Sequence, residues 1–182
     1  NDTMKAELHL YELLTYYPGD QDILFTIANV QFSNQNWSDL LQTYRDIYSS
    51  NPDQTNLIIK IYEIGISTGN IELVNEILWE LKSYSNNSLI FELLIEITNN
   101  SGKYDDAIDL IEELIKIKGS TVELKIKLSE LHLNARNFNN VIEILQPIFE
   151  SGNNSLDILR MLLISSSMLG LTKQEIKISE II

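Results

Sequence analysis

The stretch GKYDDAIDLIEELIKI, Gly102 to Ile117, sets a glycine, one polar residue and an aromatic ring ahead of a run rich in acids. Its apolar residues Ala107, Ile108, Ile111, Leu114 and Ile115 recur at three- and four-residue steps, which is helical rather than alternating spacing. Gly102 permits the left-handed or open backbone that ends one helix, and Tyr104 packs over the start of the next. Asp105, Asp106 and Asp109 then fall in the first turns, where the helix dipole favours negative charge, and Glu112 and Lys116 are spaced to support each other one turn apart.

The same preface recurs. With Tyr104 as a ruler, the equivalent residues Trp37, Ile71, Tyr104 and Phe138 lie 34, 33 and 34 residues apart. Three residues beyond the ruler come Leu40, Val74, Ala107 and Val141, and seven beyond it Tyr44, Leu78, Ile111 and Leu145. The turn strings SNQN, STGN, NSGK and NARN precede it in register, and Pro18 and Pro52, also 34 apart, close two successive repeats. Each repeat carries an earlier helical stripe as well, such as Leu89, Phe91, Leu94 and Ile97, so each is a helical hairpin. The spacing predicts eleven helices and no strand, at roughly 3–16, 21–34, 37–50, 55–68, 71–84, 88–100, 104–117, 122–135, 138–151, 156–169 and 172–182. Grouped in hairpins, these form one array over 1–182, with repeats at approximately 1–20 (partial), 21–54, 55–87, 88–121, 122–155 and 156–182 (partial). Pro147 falls inside the ninth helix, where it removes one hydrogen bond and is expected to bend it. The strings NNS and NWS match a glycosylation pattern but read as turns in so Asn-rich a chain.

A helix-turn-helix unit of 34 residues with a small or apolar residue early in its second helix and a closing Pro resembles the tetratricopeptide repeat. The matching positions are Gly102, Tyr104, Ala107 and Ile111 in one repeat, and Ala28, Trp37, Leu40, Tyr44 and Pro52 in the first full one. The usual small residue of the second helix is Leu40, Val74 or Val141 elsewhere, and the small site of the first helix holds Tyr62 and Ile95 in the next two repeats. The resemblance implies an all-α, right-handed solenoid, and those bulky residues imply irregular curvature.

It also implies where a partner binds. In such arrays the first helices line a concave groove, with the fifth and ninth positions of each repeat pointing into it. Here the fifth are Phe25, Ile59, Glu92, Ile126 and Arg160, and the ninth Asn29, Glu63, Glu96, Glu130 and Ile164. Relatives that grip a peptide's carboxyl terminus place Lys and Asn there, so a carboxylate clamp is not expected. The glutamates are either a solvated face, partly offset by Lys60 and Lys127 three residues earlier, or one side of a groove for a basic or amphipathic segment with Phe25, Ile59 and Ile126 as apolar contacts.

Composition narrows the alternatives. Asp and Glu number 26 against 13 Lys and Arg, a net charge of -13 that disfavours a nucleic-acid partner, whose phosphates are neutralised by Lys and Arg. With no Cys there is no disulfide framework, thiolate metal site or cysteine nucleophile. No apolar run is long enough to suggest membrane insertion. His9 and His132 are isolated, Ser165 to Ser167 have no neighbouring base, and no phosphate-cradling loop or metal-ligand spacing occurs, so no catalytic residue, cofactor or metal is expected. The abundance of Ile, Asn and Lys associates the chain with an AT-rich, bacterial coding sequence, and the compartment, cytoplasm or bacterial cell envelope, stays open.

The leading expectation is a non-enzymatic scaffold that binds a protein or peptide. The alternative is the repeat region of a larger enzyme or envelope assembly factor. Neither end looks capped: Leu8, Leu10, Leu13 and Leu14 near the start, and Ile176, Ile178, Ile181 and Ile182 at the end, are more apolar surface than one adjacent helix covers. Further helices, a covering partner or self-association through the ends is expected.

Overall fold

The computed structural model describes residues 2–171, which are all-α. Ten helices follow in order: α1 (Asp2–Tyr16), α2 (Gln21–Ser33), α3 (Trp37–Ser50), α4 (Thr55–Thr68), α5 (Ile71–Lys82), α6 (Ser88–Asn100), α7 (Tyr104–Lys118), α8 (Val122–Asn134), α9 (Phe138–Glu150) and α10 (Leu156–Met168). Each boundary lies within two residues of the expected one. The expected helix at 172–182, with its four isoleucines, lies outside the described residues. No strand occurs among the described residues, and none of their helices is long and apolar enough to cross a membrane.

The helices group into two bodies, Asn1–Leu93 and Leu94–Ile182, divided within α6. In the first, α1 packs on α2, α2 on α3, α3 on α4 and α4 on α5, and α3 also touches α5. In the second, α7 packs on α8, α8 on α9 and α9 on α10, and α8 also touches α10. Within each body these helices are neighbours in space as they are in sequence, with hairpin stacked on hairpin, because a two-helix unit has no other surface on which to bury its apolar stripes. α1 packs on α2 with Leu8 and Leu13 left exposed.

The ruler positions explain the packing. Trp37, Ile71, Tyr104 and Phe138 open the second helices half-buried, and Trp37 meets the ring of Phe32 edge-on at 5.6 Å. Leu40, Val74, Ala107 and Val141 are wholly buried, as are Leu78, Ile111 and Leu145, with Tyr44 nearly so. Each of the Leu, Val and Ile side chains among them contributes about 1.5–3 kcal/mol by leaving water.

The turn inside each hairpin repeats to the residue. Two before the ruler stand Gln35, Gly69, Gly102 and Arg136, all with left-handed backbone, at φ 56°, 74°, 72° and 61°. One residue later the amide donates to the carbonyl six before the ruler: Asn36 to Gln31 at 2.9 Å, Asn70 to Gly65 at 2.8 Å, Lys103 to Thr98 at 2.9 Å and Asn137 to His132 at 2.8 Å. This closure satisfies the orphan carbonyls at the end of a helix, and it is the function of the glycine in GKYDDAIDL. Gln35 and Arg136 hold the same geometry against the steric preference of a side-chain-bearing residue.

Candidate functional site

In the C-terminal body, the first helices of two successive hairpins, α8 and α10, border a groove of about 380 Å3. Ile126, Glu130, Arg160 and Ile164, the fifth and ninth positions of those hairpins, all line it, together with Leu133 and Met161. Helical spacing puts Ile126, Glu130 and Leu133 on one side of α8, and Arg160 and Ile164 on one side of α10. The lining is largely apolar, with two carboxylates, Glu130 and Asp157, and one guanidinium, Arg160. Asn134 also lines the groove and donates to Asn99 of α6 at 3.0 Å, and Glu96 stands one turn before Asn99 on the same helix.

The remaining expected contact residues are distributed differently. Phe25 is half-buried and Asn29 exposed on α2, while Ile59 and Glu63 are exposed on α4; both helices pack on α3. Glu92 is half-buried and Glu96 exposed on α6. Lys60 lies over the ring of Tyr44, 5.8 Å from its centre, in a cation-π contact.

A feature that the apolar pattern does not disclose runs along the carbonyl acceptors of the turn. Gln31, Gly65, Thr98, His132 and Ser166 occupy one position of successive first helices, and all five are buried. In the N-terminal body, Gln31 Nε2 donates to Glu7 Oε1 at 3.1 Å and to the Tyr11 hydroxyl at 3.0 Å, and its Oε1 accepts from Thr43 Oγ1 at 2.8 Å. In the C-terminal body, Thr98 Oγ1 donates to the carbonyl of Leu94 at 2.7 Å. His132 Nδ1 and Ser166 Oγ are buried without a hydrogen-bond partner, as is Ser165 Oγ.

No protein-family model and no curated protein sequence matches this chain. Solved structures do. It superposes on MamA with a TM-score of 0.61 at 12% identity, covering 87% of each chain. On YrrB, a tetratricopeptide protein with an unusual peptide-binding site, the TM-score is 0.61 at 9% identity, over 93% of this chain and 88% of that one. A chain of Naa15/Naa10 bound to HypK gives 0.66 at 12% identity, over 97% of this chain but 28% of that one. The fold is a tetratricopeptide-type helical repeat.

In tetratricopeptide terms, the groove between α8 and α10 lies on the first-helix side of the hairpins. A second groove, of about 540 Å3, lies between the second helices α7 and α9, with Leu128 and His132 of α8 also lining it. His132 is only 7% exposed. Burial pushes its imidazole below the ordinary value, and the nearby Glu112 carboxylate pulls the other way. His9, in contrast, is exposed on α1, 3.6 Å from Glu12. Among the described residues no three His, Cys, Asp or Glu side chains converge as metal ligands.

The sign of a pH effect follows. The unfolded chain binds the His132 proton near the ordinary pKa of about 6.5, while the folded chain binds it only at lower pH. The stabilisation from keeping this ring neutral is therefore complete above about pH 6.5 and is lost as pH falls towards the folded-state value. Urea unfolding of the parent and of His132→Phe at about pH 7.5 and pH 5 should show the parent losing more stability over that interval. Equal losses would show that His132 does not carry the effect.

Proposed function

We propose that this chain is a non-enzymatic interaction scaffold that takes a segment of a partner protein on the first-helix side of its hairpins. The observation that carries this reading is the convergence of Ile126, Glu130, Arg160 and Ile164 on one groove between α8 and α10. Ile126, Met161 and Ile164 supply apolar contact, and Glu130 and Asp157 supply acceptors for a basic group. Phe25, Asn29, Ile59 and Glu63 on α2 and α4, and Glu92 and Glu96 on α6, extend the same recognition chemistry to the other repeats. The fold's likeness to a peptide-binding protein such as YrrB, and to an assembly such as Naa15/Naa10 with HypK, supports the class of function. A partner segment that is amphipathic and basic fits a chain of net charge -13.

The test pairs a search for the partner with a defined variant. Capture on the immobilised chain, followed by mass spectrometry, identifies the partner, and its bound segment is then titrated as a synthetic peptide. Changing Glu63, Glu96 and Glu130 together to Gln should leave helix content unchanged, weaken a basic peptide several-fold and flatten the salt dependence of binding. An unchanged affinity in that variant would return the three glutamates to an ordinary solvated face.

A further inference from the structure

Resting on the segment-binding reading above, we infer that the groove between α8 and α10 selects a partner segment with charges of both signs: an acidic residue for Arg160 and a basic one for Glu130, on either side of an aliphatic residue.

Register sets the layout. Stacked hairpins bring equivalent positions of their first helices side by side, and α8 touches α10. The fifth positions, Ile126 and Arg160, therefore stand level with each other, and the ninth positions, Glu130 and Ile164, stand level about one turn further on. All four line the groove. The two charges thus occupy one diagonal of a four-residue patch and the two isoleucines the other. Ile164 is 47% exposed, a large apolar side chain left facing water.

The diagonal keeps the charges from cancelling. Glu130 and Arg160 are both exposed, and among the described residues no ion pair engages either. Asp157 stands three residues before Arg160, a spacing that permits pairing, yet it is not paired with it. It falls in the first turn of α10, where the helix dipole favours a carboxylate. The dipole gives no such reason for Arg160, the one cation among the fifth and ninth positions of the repeats. Lys127, three residues before Glu130, does not line the groove.

A wholly basic segment meets Arg160 as a like charge, and a wholly acidic one meets Glu130 in the same way. A segment of mixed sign places an opposite charge at both corners while its aliphatic residue covers Ile164 and Met161. Four residues of helical rise and one interhelical spacing make the diagonal about 11 Å long between backbones. An extended segment with acidic, aliphatic and basic residues at alternate positions projects all three to one face over about 13 Å, a difference that long side chains absorb.

The test starts from a random dodecapeptide library displayed on phage and panned against the full chain. Enriched peptides should carry Asp or Glu and Lys or Arg about four residues apart with an aliphatic residue between them. One is then synthesised with blocked ends and titrated by fluorescence anisotropy. Arg160→Glu should weaken it about fivefold, and changing the peptide's acidic residue to Lys should restore the affinity. Glu130→Lys should weaken it as much, with rescue only by changing the peptide's basic residue to Glu. Both side chains are exposed, so unchanged helix content by circular dichroism confirms that each variant is folded. Enriched peptides without an acidic residue, or a loss in Arg160→Glu that the peptide exchange does not restore, would overturn the mixed-charge pattern; if Glu130→Lys still weakened those peptides, the segment-binding reading would stand without it. No enrichment, or peptides indifferent to Glu130→Lys, Arg160→Glu and Ile164→Ser alike, would remove the groove as a binding site and both readings of it.

Discussion

Replacing Gly65 with leucine is expected to destabilise the N-terminal body by about 3 kcal/mol, the upper end of what overpacking a core usually costs. Gly65 is buried in α4 and is the glycine of this chain that sits inside a helix for a steric reason rather than a turn. A Cβ built on it lies 2.1 Å from Val74 Cγ2 and 3.1 Å from Val74 Cβ, the first of which is far inside van der Waals contact. Val74 is wholly buried on α5, and its branched Cβ leaves it few rotamers into which to retreat. α4 and α5 must therefore separate. Alanine at the same site is a milder perturbation, because the better helix propensity of Ala offsets about 1 kcal/mol of the clash. The decisive measurement is a double-mutant cycle by urea unfolding: Gly65→Ala and Val74→Ala should each destabilise, and the pair should be more stable than the sum of the two changes predicts. Strict additivity would mean that the two residues do not meet.

The contrast between Gly65 and its ruler shows what the sequence makes legible. Trp37, Ile71, Tyr104 and Phe138, and the apolar positions three and seven beyond them, announce themselves because one physical demand, exclusion from water, is met by interchangeable residues at a constant interval. The hairpins, their boundaries and the turn chemistry at Gly102 follow from that alone. Gln31, Gly65, Thr98, His132 and Ser166 answer a different demand at each repeat. One is a bonded amide, one a close helix contact, one a hydroxyl turned back on its own helix, and two are orphaned polar atoms. No single property recurs, so periodicity cannot reveal them. The same holds for Gln35 and Arg136, which adopt the left-handed turn without the glycine that would advertise it. The groove between α8 and α10 was partly legible, since Ile126, Glu130, Arg160 and Ile164 follow from register once the hairpin is recognised. The groove over His132 was not. Ile115 and Pro147 line it, and neither belongs to a recurring pattern that would mark it out.

Gln31 gives the second large effect, and it separates hydrogen bonding from packing. Its side chain is wholly buried where α1, α2 and α3 meet, with both ends of the amide engaged: Nε2 gives to Glu7 and Tyr11, and Oε1 accepts from Thr43. Gln31→Ala should destabilise the N-terminal body by about 3 kcal/mol, combining a cavity with the loss of the amide's bonds, which leaves the buried Thr43 hydroxyl only that of Tyr11 beside it. Glu7 and Tyr11 lie nearer the surface and can return to water, so they add little. Thr43 cannot, being only 5% exposed. Gln31→Leu keeps most of the volume and isolates the polar loss, which should amount to about 1–2 kcal/mol. Pairing it with Thr43→Val removes the buried hydroxyl as well, and replacing both partners by apolar groups of similar shape is expected to bring stability back close to the parent. The order of melting temperatures should therefore run parent and double variant together, then Gln31→Leu, then Gln31→Ala. If Gln31→Leu alone matched the parent, the buried amide would be serving as filler, and the three hydrogen bonds would contribute nothing to holding α1 and α3 on α2.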